Sequence, residues 1–315
     1  METADLRKIT SVFLPDRDQF LGNNQNLDVR SRISKSRQVP ATIDPFAGRG
    51  GRCRRATAVL EDGKSLILEF ASFKDDYDDV DGVIKGVAEI DGETLDLRRC
   101  VFRDERATDQ EISEARDAAR EAWRLKGISY HHEVADEAGN IQRSGLRLPQ
   151  TGALHSVAAY WTLNQDPALI VMPTGTGKTE VMIATSIAGA CERVLVIVPT
   201  DALRSQTANK FATYGILEKI ETIAGIPNPV IGILSSTPSP EHFDRLNLCN
   251  VVVSTMSSIG GAVPEFMARF AGLFSHVFFD EAHHIGAASW KRFRECCGEA
   301  KVLLFTATPF REDGK

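Results

Sequence analysis

The densest chemistry in this 315-residue chain lies in Met172-Pro173-Thr174-Gly175-Thr176-Gly177-Lys178-Thr179. Gly175 and Gly177 can take backbone conformations that aim successive N–H groups at phosphate oxygens. Lys178 is suited to neutralise the outer phosphates, and Thr179 to offer its hydroxyl to Mg2+. Val181, Ala184, Ile187 and Ala188 follow at helical spacing, so the loop opens a helix whose N-terminus adds partial positive charge. Loops of this kind usually begin with glycine, and here that position is Met172.

A second cluster is Val277-Phe278-Phe279-Asp280-Glu281-Ala282-His283-His284. An apolar run delivers two carboxylates together, with Asp280 placed to hold Mg2+ and Glu281 to polarise an attacking water. An acidic turn after a strand is common by itself. Its weight comes from a phosphate loop upstream on the same expected sheet.

The elements that must position these groups are legible as apolar runs. They are Ala168–Met172, Val194–Val198, Val230–Leu234, Val251–Val253, Val277–Phe279 and Val302–Phe305, each ending in a polar or Gly-rich turn. Continuously apolar strands alternating with helices predict a parallel sheet covered on both faces, with ligands at the carboxyl ends of its strands. Four segments follow: an irregular basic stretch over 1–55, a small β-rich accessory domain with a closing helix over 56–126, a linker over 127–145 and an α/β domain over 146–315. In the accessory domain, Ala56–Leu60 and Ser65–Phe70 flank Asp62-Gly63, and Val83–Ile90 and Glu93–Leu97 flank Asp91-Gly92, the dipeptide of tight hairpin turns. From Arg30 to Arg55 there are eight Lys or Arg against Asp44 alone, and five aspartates stand between Asp75 and Asp81. The basic stretch reads equally as a contact for a phosphate backbone or as a solvated arm.

Composition sets the outer limits. The formal charge of −6 gives no global attraction to nucleic acid. The six cysteines form no C-x-x-C pair, which fits reduced thiols rather than a zinc module. No run approaches the roughly 18 apolar residues of a membrane helix, and the opening residues lack a signal-peptide core. A cytoplasmic protein without a membrane partner is the expectation.

Pro173–Thr179, Asp280-Glu281-Ala282-His283 and Leu304-Phe305-Thr306-Ala307-Thr308-Pro309, in that order, resemble the first RecA-like domain of superfamily 2 DEAH-type helicases. The likeness is nearest to the branch that includes the res subunit of type III restriction enzymes, and it covers about residues 146–315. It implies a RecA-like parallel sheet flanked by helices, of the P-loop NTPase class, and nucleic-acid-dependent ATP hydrolysis with ATP and Mg2+ as cofactors. By this resemblance Arg147 and Gln150 match an Arg-x-x-Gln element whose Gln reads the adenine edge, and Pro173–Thr179 cradle the phosphates. Pro199, Thr200 and Arg204, with Ser254 and Thr255, match segments that contact a nucleic-acid backbone. Thr200 reads equally as an ordinary helix cap. His283, Thr306, Ala307 and Thr308 match residues that couple the two sites. The implied partners are nucleic acid, DNA ahead of RNA, a second RecA-like domain in the continuation of the chain, and a protein partner for the N-terminal domain. Contacts through hydroxyls and helix ends address phosphate and sugar, so little sequence preference is expected. Because the related motors draw arginines from their second domain, the 315 residues alone are expected to hydrolyse ATP poorly.

Two rival chemistries fail on the residues. Asp44-Pro45-Phe46-Ala47-Gly48 resembles a methyltransferase cofactor loop, but no apolar strand precedes it. A nuclease would need Glu-x-Lys, and Glu69-Phe70-Ala71 ends in alanine. The remaining alternative is a nucleotide-gated scaffold that binds nucleic acid without productive turnover. Glu281 speaks against it, since a pure binder needs no water-polarising carboxylate.

Overall fold

A computed structural model describes residues 2–24, 26–46, 52–71, 80–102, 105–260, 262–282 and 288–307. The chain divides into two compact units, one of residues 1–19 with 32–106 and one of residues 20–31 with 107–315.

The second unit carries all six expected parallel strands, in the order Val230–Leu234, Val251–Thr255, Val194–Val198, His276–Phe279, Lys301–Thr306, Ala168–Val171. Val194, Val196 and Val198 pack into one core layer with Val181, Ile187 and Phe211, while Leu195 and Ile197 pack into another with Phe270, Phe279 and Phe293. The central strands are largely apolar because both of their faces are covered, whereas the edge strand Ala168–Val171 leaves Leu169 and Val171 exposed. This is the RecA-like α/β sheet that the motifs imply, and the loops at the carboxyl ends of its strands carry them. Among the described residues, no helix is long and apolar enough to cross a membrane.

Three boundaries differ from the sequence reading. The described residues of 1–55 are mostly strand rather than irregular. Ser11–Leu14, Arg17–Asn24, Leu27–Ser34 and Arg37–Phe46 are strands. Leu27 and Val29, alternating with Asp28 and Arg30, run antiparallel to Val230–Leu234 and extend the main sheet. The period of two was present but masked by charge. Arg32 of the first unit forms ion pairs with Asp16 at 2.6 Å and Asp18 at 2.7 Å, so this arginine of the basic stretch serves the fold and not a free arm. The aspartates Asp75–Asp79 lie outside the described residues.

The helix expected to close the accessory domain belongs instead to the second unit. It spans Asp109–Lys126, started by a capping box in which Thr108 and Glu111 bond each other's backbone N–H. Its apolar stripe of Ile112, Ala119, Ala122 and Trp123 is buried. Arg116 Nη1 donates to the Asn247 carbonyl at 2.8 Å, and Trp123 Nε1 donates to Tyr214 Oη at 2.8 Å.

The first unit is an eight-stranded mixed sheet around Val12, Ile43, Ala58, Leu68, Ile84 and Leu95. Both Asp-Gly turns form, with Gly63 at φ 84° and Gly92 at φ 59°. The run Val83–Ile90 breaks at Gly86, φ 148°, where a Cβ would stand 2.9 Å from the Cys100 Cα. Gly82–Lys85 therefore pairs in parallel with Ser65–Glu69, and only Glu89–Asp91 hairpins with Thr94–Asp96. The expected linker also holds a small hairpin, Val134–Ala135 with Ile141–Arg143.

One partly buried histidine of the second unit titrates well below its ordinary range. His276 packs edge-on against Trp161, 5.4 Å between ring centroids, and pairs in register with Lys301. Burial, reinforced by the Lys301 charge, pushes its imidazole from 6.5 down to about 4. The unfolded chain takes up this proton as pH falls through 6.5, whereas the folded chain does so only near 4. The associated stability is thus complete above 6.5 and lost between 6.5 and 4, up to about 3 kcal/mol. Urea unfolding at pH 7 and pH 5 should show His276→Phe losing about 2 kcal/mol less than the wild type over that interval. Equal losses in both proteins would refute the assignment.

Candidate nucleotide site

The strand Ala168–Val171 feeds the glycine loop, and Gly177 caps the helix Lys178–Ala188 in the left-handed region at φ 91°, with Gly175 at φ 80°. Thr176 closes the loop, its hydroxyl donating to the Pro173 carbonyl at 2.6 Å. Met172, the departure from the usual leading glycine, is a buried core residue whose N–H donates to the Thr306 carbonyl at 2.9 Å. A side chain at this position contributes packing that glycine could not.

The acidic pair arrives from the strand His276–Phe279. The Asp280 N–H donates to the Ile197 carbonyl at 2.8 Å, and the Glu281 N–H donates to Asp280 Oδ1 at 3.1 Å. Glu281 sits at φ 54°, a left-handed conformation that costs a non-glycine residue about 1 kcal/mol or more and recurs at functional sites. Its carboxylate forms an ion pair with the Lys178 ammonium. Both residues line a cleft of about 430 Å³ together with Thr174, Gly175, Gly177, Thr179 and Asp280. The two motifs, distant in sequence, therefore meet over one volume.

Arg147 and Gln150 line the same cleft. Gln150 is 3% exposed, and its Oε1 accepts from the Arg147 N–H at 2.9 Å. Its amide nitrogen lies against the loop so closely that a Cβ on Gly177 would fall 2.1 Å from it. Gly177→Ala therefore meets both a forbidden φ and a collision. We expect a loss of about 1–3 kcal/mol in thermal unfolding and loss of Mg-ATP binding in calorimetry. A variant as stable and as competent as the wild type would contradict this geometry.

The residues matched to nucleic acid divide. Pro199 is half-buried and Thr200 exposed, and the Thr200 hydroxyl accepts from the Leu203 N–H at 3.3 Å as the cap of helix Asp201–Ala212. Arg204 is turned onto its own helix, Nη1 donating to Asp201 Oδ1 at 2.6 Å. Ser254 and Thr255 depart from expectation. They are 0% and 1% exposed. The Ser254 hydroxyl donates to the Leu234 carbonyl at 3.3 Å, and that of Thr255 bonds Ser257 and Ser258 at 2.8 and 3.0 Å. Both side chains sit on a strand covered on both faces, which withdraws them from any phosphate. Thr306 is buried and Ala307 half-buried, and the Thr306 carbonyl ties its strand to Met172 just before the glycine loop. His283 and Thr308 lie outside the described residues.

Six further cleft residues had been given no role from the sequence: Glu180, Leu203, Gln206, Thr207, Lys210 and Ile216. The only signal available was the i, i+3, i+4, i+7 spacing of Leu203, Gln206, Thr207 and Lys210 along one helix.

A family model described as "Type III restriction enzyme, res subunit" matches residues 143–311. An uncharacterised protein of Mycobacterium leprae is 31% identical over 154 residues, 47% of this chain and 23% of the relative. One from Mycobacterium tuberculosis is 31% identical over 152 residues, 46% and 23%. The chain thus spans about a quarter of the length of these relatives. Among solved structures, the UvsW helicase of bacteriophage T4 is 18% identical with TM-score 0.38, covering 56% of each chain. The Hef helicase domain of Pyrococcus furiosus is 23% identical with TM-score 0.34, covering 52% of this chain and 33% of that one.

Proposed function

The chain belongs to the type III restriction enzyme res-subunit family, and from that premise we propose that it is the ATP-binding part of a motor coupling ATP hydrolysis to movement along, or remodelling of, nucleic acid. Its function is of the helicase-ATPase kind. The carrying observation is that Lys178 and Glu281, brought by two different strands, meet over a cleft that Thr179 and Asp280 also line.

In this reading the glycine loop binds the triphosphate through backbone N–H groups, and Lys178 exchanges Glu281 for phosphate oxygen. Gln150 reads the base, its amide offering both donor and acceptor. The Thr179 hydroxyl and Asp280 carboxylate are hard oxygen donors that fit Mg2+, an ion usually held by one or two carboxylates plus phosphate. When bound, that ion would offset phosphate charge. Glu281 orients the attacking water and takes its proton. Thr200 and the start of its helix address a nucleic-acid phosphate, and the Thr306–Met172 bond transmits strand position to the loop. The role of the longer protein in restriction, phage defence or repair, and its use of a second RecA-like domain, belong to the same proposal.

Steady-state ATP hydrolysis by the full-length protein, with single-stranded DNA, duplex DNA and RNA added in turn, tests the reading. Stimulation by one polymer, lost in Lys178→Ala, supports the motor and names its track. Nucleotide binding with no stimulation by any polymer would replace the motor with the nucleotide-gated scaffold.

A further inference from the structure

We infer that Lys210 is a second nucleotide-binding lysine, gripping a nucleotide phosphate from the part of the cleft wall that helix Asp201–Ala212 supplies; this rests on the nucleotide-site reading above. The sequence assigned helix Asp201–Ala212 only to nucleic acid, through Thr200 and Arg204. The structure turns another face of that helix, ending in Lys210, toward the cleft.

What fixes Lys210 is Glu180, the residue that follows Lys178-Thr179 in the first turn of the loop helix. The Glu180 side chain is 8% exposed and accepts a hydrogen bond from Lys210 Nζ at 2.8 Å, while the Lys210 side chain stays 36% exposed. The other carboxylate oxygen points at the loop, and a Cβ on Gly177 would stand 3.2 Å from it. The pair therefore sits beside the glycine loop at Gly177.

A carboxylate beside the loop would repel a triphosphate unless neutralised. Lys210 neutralises it and keeps donors in reserve, since an ammonium has three N–H groups and Glu180 takes one through this bond. A lysine already held by a buried carboxylate loses less of its roughly 2 kcal/mol of rotamer entropy when it takes a phosphate oxygen. Lys210 thus supplies a pre-positioned cation, independent of which base the nucleotide carries.

Calorimetric titration of the full chain with Mg-ADP tests this on Lys210→Met, Glu180→Gln and the double variant. Loss of a charge-assisted bond predicts affinity weakened about tenfold or more in Lys210→Met. The double variant, which buries no charge and should melt near the wild-type temperature, is expected to remain weak. Recovery of wild-type affinity in the double variant would make Lys210 a mere counter-ion and overturn the inference. So would a Lys210→Met protein that binds Mg-ADP as the wild type does. Wild-type protein that does not bind Mg-ADP would sink the nucleotide-site reading itself, and this one with it.

Discussion

Glu281→Gln lowers the maximal rate of ATP hydrolysis by about 10²–10⁴-fold, the usual contribution of a positioned general base, while Mg-ATP binds at least as tightly as before. An amide keeps the size of the carboxylate but cannot accept the proton of the attacking water, so the chemical step alone is lost. At about 1.4 kcal/mol per tenfold, the barrier rises by about 3–5 kcal/mol. Binding responds in the opposite direction because of the ion pair. In the structure the Lys178 ammonium is engaged by Glu281, and an incoming phosphate must displace that carboxylate. Removing the negative charge lowers the cost of displacement. Lys178→Ala should instead lose both binding and turnover, since no other residue of the glycine loop carries a positive charge. Nucleotide-binding titrations alongside steady-state rates separate the two. Turnover by Glu281→Gln within about tenfold of the wild type would remove Glu281 from the base role, and with it the main argument against a scaffold.

The site was legible in outline because phosphate binding constrains local sequence. Gly175 and Gly177 need a left-handed backbone, and an L side chain at Gly177 would also strike Gln150, so residue type reports geometry directly. The acidic pair was legible because a covered strand must be apolar until it ends. Glu180 and Lys210 were not, because an ion pair between two helices, one partner buried and the other half-exposed, leaves only the helical spacing that Lys210 shares with Leu203, Gln206 and Thr207. Ser254 and Thr255 misled for a related reason. A hydroxyl after an apolar run reads alike whether it caps a neighbour or meets a ligand, and only burial separates the cases. The N-terminal strands were hidden by their charges. Arg30 and Arg32 occupy alternate positions of Leu27–Ser34, and the Arg32 ion pairs to Asp16 and Asp18 could not be foreseen from spacing.

The second large effect is on stability and falls on Trp123, which the sequence placed in an accessory domain. Trp123→Ala should reduce the unfolding free energy by about 3–5 kcal/mol, the range for deleting a large buried aromatic. Total stabilities run about 5–15 kcal/mol, so such a loss leaves the second unit marginal. The indole is fully buried in the core layer that also holds Val181, Ile183 and Ile187 of the loop helix. Its N–H is the first link of a buried chain, donating to the Tyr214 hydroxyl, which donates in turn to the Pro227 carbonyl at 2.6 Å. Tyr214→Phe removes only that hydroxyl and should cost about 1–3 kcal/mol, the penalty for leaving a buried donor unmet. The order of the two losses is the diagnostic, because an accessory helix would give small and equal effects on nucleotide-site stability. Denaturant unfolding followed by protection with Mg-ADP reads it directly. If Trp123→Ala unfolds at the wild-type midpoint, helix Asp109–Lys126 is an appendage, and a protein starting at residue 146 should keep the site. If the midpoint falls as expected, the nucleotide site requires residues 107–126, and the working unit begins well before its first motif.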